Sequence, residues 1–109
     1  MEDAQAHYFS LFDMAPFGYM TVSGDDHVME ANRMACMWLG IKQDMIGVRR
    51  IDEYLKPDCR QIMRGALNRL REDGSSEALS VQALAGGDNL NIQATIMPGS
   101  DLVLMALRP

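Results

Sequence analysis

Two cysteines, two histidines and one tryptophan in 109 residues leave this sequence poor in the side chains from which most catalytic and metal sites are built. Cys36 and Cys59 have neither Cys-x-x-Cys spacing nor a partner motif, so they read as reduced thiols rather than a disulfide or a zinc site. His7 and His27 stand without a neighbouring nucleophile or paired acids, and the chain reads as a non-enzyme. Asp25-Asp26 offers two carboxylates, too few for a cation site and suited to a turn, and no helix follows Gly86-Gly87 to aim its N–H groups at a phosphate. No apolar run approaches the roughly 20 residues that span a bilayer, and no basic-then-apolar leader opens the chain, so the expectation is a cytoplasmic protein without a membrane segment. Ten cations against fifteen acids give a net charge of −5, which argues against a nucleic-acid surface.

What is present is a hydrophobic content of 48%, enough for one core and one domain, and ten methionines, which fill irregular gaps in an adaptable interior. Ala4, Tyr8, Leu11 and Phe12 recur at helical spacing and predict an N-terminal helix within residues 1–15, serving either as an intramolecular cap or as a dimer contact. Pro16 ends it, because the residue before a proline is pushed out of helical geometry. Phe17 to Val22 suits a strand, Ser23-Gly24-Asp25-Asp26 a turn, and His27 to Ala31 a second strand. Asn32 is placed to cap a helix that Gly40 ends, and short helical pieces follow at Asp44 and at Ile51 to Leu55.

Pro57 to Asp73 is the strongest helix signal, with Cys59, Ile62, Met63, Ala66, Leu67 and Leu70 as its apolar stripe and Gly74 as its stop. Gly65 interrupts it, either as a tolerated surface glycine or as a point of close approach. Strands over Glu77 to Ala85, Asn89 to Met97 and Leu102 to Leu107 complete an antiparallel α+β domain with its helices on one face.

Ala15 to Tyr19 (Ala-Pro-x-Gly-Tyr), Glu30 to Arg33 (Glu-Ala-Asn-Arg), Leu39-Gly40, Met45 to Gly47 and Leu55 to Asp58 (Leu-x-Pro-Asp), followed by three strands, resemble in order and spacing a PAS domain of bacterial signalling proteins. The resemblance covers about Phe12 to Leu107 and implies a five-stranded antiparallel sheet with short helices and one long helix on one face, residues 16–109 forming the core domain. It further implies a sensory or regulatory module that senses a small ligand or relays a signal through dimer contacts, as a homodimer beside an output domain such as a histidine kinase, a diguanylate cyclase or a transcription regulator. No output segment is visible, so the chain is expected to be part of a longer protein. The alternative is a ligand-free homodimerisation or protein-interaction module.

A ligand cavity of that family would fall between the sheet and the long helix, and Trp38, Tyr54, Cys59, Met63 and Leu67 are the candidates to line it. Asn91, Gln93 and Thr95 alternate with Leu90, Ile92, Ala94 and Ile96, and alternation leaves open whether the polar stripe faces solvent or the cavity, where Asn91 and Gln93 would bind a ligand. Flavin photosensors of the family carry a Gly-x-Asn-Cys-Arg motif, but here Gly47 matches while the cysteine position is Arg50. The long helix has no histidine for haem iron, so photoreactive flavin and haem are both disfavoured, and non-covalent flavin beside Trp38 is the weaker of the open readings.

Overall fold

The computed structural model describes residues 12–74, 76–87 and 89–109. Of the expected N-terminal helix, Ala4, Tyr8 and Leu11 lie outside the described residues, and residues 12–14 are helical. Next come β1 (Gly18–Val22), β2 (Val28–Ala31), helix α1 (Arg33–Leu39), two 3-10 turns (Gln43–Met45 and Ile51–Tyr54), helix α2 (Pro57–Asp73), β3 (Glu77–Gln82), β4 (Asn89–Ile96) and β5 (Val103–Arg108). The bounds of α2 are those its sequence signals predict. Pro57 occupies the first turn, where its missing N–H leaves no hydrogen bond unmade, and Gly74 closes the helix in the left-handed region at φ 72°.

The strands form one antiparallel sheet in the order β2-β1-β5-β4-β3. The amino-terminal hairpin is thereby joined to the closing strands, since Gly18 to Val22 pair with Leu107 to Val103 along their whole length. β3 is shorter than expected because the chain beyond Gln82 leaves β4 for the helical segment. Ala83 bridges Leu55, and the Leu84 N–H donates to the Tyr54 carbonyl.

Met20, Val22, Leu90, Ile92, Ala94, Val103, Met105 and Leu107 point from the sheet into the core, where they are buried together with Met63, Leu67 and Leu70 of α2. Each of these side chains larger than that of Ala94 contributes about 1.5–3 kcal/mol by leaving water, so this layer is the main stabilising term. Gly65 is no point of close approach: a Cβ built there meets the end of the flexible Arg69 side chain at 3.3 Å. Gly65→Ala is therefore expected to stabilise the domain by about 0.5–1 kcal/mol, read as a raised urea midpoint at unchanged slope, and a lowered midpoint would show a hidden backbone constraint.

Candidate functional site

The interior between α2 and the sheet is where the sequence placed the site, and there the structure brings together four of its seven residues. Tyr54, Cys59, Met63 and Leu67 are all buried in one core cluster, with Trp38 half-buried against it. Met20, Met63 and Met105 are wholly buried alongside them, so protein side chains occupy much of this layer. The Cys59 sulfur has a structural role, its Sγ accepting a hydrogen bond from the Gln82 N–H at 3.3 Å. Burial pushes the Cys36 thiol up, with the Asp13 carboxylate adding to the effect. Burial likewise raises the Tyr54 phenol, whose hydroxyl has no hydrogen-bond partner among the described residues.

Asn91 and Gln93 do not join that interior. Both are exposed on the far side of the sheet, while Leu90, Ile92 and Ala94 take the inner side. The register makes the reason explicit. Leu79 pairs with Ile92 and Leu107 with Ile92, so the apolar positions of three strands share one face and the residues between them share the other.

On that outer face Ala78, Gln93, Ala106 and Tyr19 form one row across four strands, and Ser80, Asn91 and Arg108 form the next. The methyl side chains of Ala78 and Ala106 sit between longer neighbours, and the resulting depression is a groove of about 590 Å³ lined also by Phe17, Tyr19, Gln93 and Arg108. Asn91 is held in place, its amide accepting from the Ser80 hydroxyl at 2.9 Å and donating to the Pro109 carbonyl at 3.3 Å. Period-two alternation could have flagged Tyr19 and Ala106 as outward residues, but their adjacency to Gln93 depends on the strand order.

Asn32 links this outer face to α1. Wholly buried, it accepts from the Tyr19 N–H (2.9 Å) and the Ala35 N–H (3.1 Å) and donates to the Phe12 and Phe17 carbonyls (2.8 and 2.9 Å). Both lone-pair positions and both amide protons are thus used. Phe12, the described member of the predicted cap residues, also stacks on Tyr19 with ring centroids 6.5 Å apart.

A second polar feature lies on the helical side. Asp52 is 5% exposed in its side chain and receives Arg64 through two bonds (2.8 and 3.0 Å) and Arg50 through one (3.3 Å). Arg50 also approaches Asp26 at 3.7 Å, and Arg71 binds Asp26 at 2.7 Å and the Ser23 carbonyl at 2.8 Å. This ladder fastens the β1–β2 turn to α2. Burial works to raise the Asp52 carboxyl, but the hydrogen bonds and charges of Arg64 and Arg50 together outweigh it and hold the group below its ordinary value. A depressed carboxyl stabilises the fold above its unfolded value near about 4 and loses that contribution as pH falls through the folded value. Acid titration followed by circular dichroism is expected to show this loss below about pH 4 in the wild type and a shallower dependence in Asp52→Asn, whereas identical acid limbs would show that Asp52 is uncoupled from folding.

No family profile matches the chain, and no curated protein matches it. Solved structures do. The fold is similar to the PAS domain of a protein from Colwellia psychrerythraea (TM-score 0.79, 12% identity, covering 97% of this chain and 96% of that one). It is also similar to a domain of a sensory box sensor histidine kinase/response regulator from Geobacter sulfurreducens (TM-score 0.76, 17% identity, 97% and 94% covered). A third likeness is the PAS domain, in complex with ethanol, of a LuxR-family transcriptional regulator from Burkholderia thailandensis (TM-score 0.70, 17% identity, 93% and 95% covered).

Proposed function

From the PAS fold of this chain, we propose that it is a sensory or regulatory module of a signalling protein, and that it relays its signal through the outer face of the sheet as a homodimer. The observation that carries this reading is the groove beside Tyr19 and Ala106, adjoining Leu104 and Phe17, each 42% exposed. Exposed apolar side chains around a depression of small residues suit a second copy of the same surface. Residues 16–109 would form the core domain, with Phe12 at the edge from which a signal enters. A shift of Phe12 against Tyr19 reaches α1 through the Phe12 carbonyl and Asn32, and the output domain would be a kinase, cyclase or regulator joined to the same chain. The partner can bias the balance only by binding one packing of Phe12 better than the other.

Ala106→Glu tests the reading, because it places a carboxylate in the middle of the groove without touching the core. Light scattering after gel filtration is expected to show two chains for the wild type and one for the variant at the same thermal midpoint; a folded variant that still pairs sinks the proposal. One observation favours a small-ligand reading as the second choice. The Tyr54 hydroxyl is buried without a partner among the described residues, and a hydroxyl-bearing molecule would satisfy it, which fits the ethanol bound by the Burkholderia thailandensis domain.

A further inference from the structure

The chain's charge is segregated. Residues 49–71 hold seven of the ten Lys and Arg residues against three of the fifteen acids, a net +4 in a protein of net −5. Most of that stretch is α2, whose buried stripe does not require it, since Cys59, Met63, Ala66, Leu67 and Leu70 supply the packing. Arg60 and Arg64 lie four residues apart on one edge of the helix, a spacing at which like charges repel. Arg50 reaches the same edge by sharing the Asp52 carboxylate with Arg64, and the two guanidinium side chains remain 43% and 55% exposed. Arg60 gives its Nε–H to the Leu55 carbonyl at 3.2 Å and has no carboxylate partner among the described residues, nor has Arg49. Arg50 and Arg64 share Asp52, with Asp26 also near Arg50, so Arg49 and Arg60 are the two guanidinium groups here that lack a carboxylate partner among the described residues.

We propose that this edge of α2, with Arg50 and Arg60 beside Arg64, is a docking surface for an acidic segment of a partner protein. Two or more carboxylates on the partner would complete the pairing that Asp52 begins, and bidentate binding by guanidinium groups is the geometry that carboxylates favour. The surface lies on the helical side of the sheet, opposite the groove, so it can be occupied while a second copy covers the outer face. A duplex is the poorer occupant, because the rest of the chain carries a net −9 and repels a long polyanion.

The test is an amide NMR titration of the full chain with a hexaglutamate peptide, with inorganic phosphate and with a short DNA duplex. Peptide-induced shifts are expected to concentrate at residues 49–71, to fade as salt is raised, and to need about tenfold more peptide in both Arg60→Glu and Arg49→Glu. Two variants are used because Arg60 also holds the Leu55 carbonyl, whereas Arg49 is exposed, and a dispersed spectrum identifies a folded variant. The proposal is overturned by shifts elsewhere, by no shifts, by folded variants that bind unchanged, by tighter binding of phosphate or duplex, or by shifts of the same amides on raising protein concentration alone. None of these outcomes bears on the groove, whose own test is Ala106→Glu.

Discussion

Asn32→Ala is expected to destabilise the domain by about 3–4 kcal/mol, which for a chain of this size lowers the thermal midpoint by roughly 15–25 °C. Truncation removes four hydrogen bonds at once and strands the Tyr19 and Ala35 N–H groups and the Phe12 and Phe17 carbonyls. Each stranded buried group costs about 1–3 kcal/mol, and water reaching the partly buried ones reduces the total. Asn32→Asp separates the two halves of the role. Its carboxylate still accepts from Tyr19 and Ala35 but faces two carbonyls, so about half the loss is expected together with release of Phe12. Release is visible as a change in the Tyr19 ring resonances, because Phe12 stacks there. A stable Asn32→Asp with an undisturbed Tyr19 would disconnect this residue from the proposed relay.

Gly18→Val is the second large effect, expected at about 3 kcal/mol. An added Cβ would lie 3.2 Å from the Ala35 Cα and N and from the Leu107 Cβ, so α1 rests on β1 with no room between them. Two of the three obstacles are backbone atoms of a helix and cannot swing aside. Gly18→Ala needs a shift of a few tenths of an ångström and is expected to cost about 1 kcal/mol, so the pair of variants gives a steric series. Denaturant unfolding reads both, and a Gly18→Val protein as stable as the wild type would mean that α1 can slide from β1 cheaply. Such a helix would be a poor receiver for motion arriving through Asn32.

The elements with local signals were legible in the sequence. Pro57, Gly74 and the apolar period between them define α2, and Asn32 and Gly40 bracket α1 as cap and stop. The second half of Asn32's role was hidden because its acceptors at Phe12 and Phe17 lie 20 and 15 residues upstream, beyond any local pattern. The alternation of Asn91 and Gln93 with Leu90 and Ile92 was equally plain, but the side each set faces is decided by pairing with β3 and β5. The candidate cavity residues separated for that reason into a buried set and an exposed pair. Nothing in the spacing of Asp26, Asp52 and Arg71 announces the ionic ladder, since Arg71 and Asp26 meet across 45 residues.

Native mass spectrometry of the chain purified from its own host puts the central claim to the most direct test, because it reads subunit number and retained molecules together. A relay that works through the outer face of the sheet, over an interior filled by Met20, Met63 and Met105, should give two chains and no additional small molecule. A single chain carrying one stoichiometric small molecule would contradict it and return the site to the buried surroundings of Tyr54.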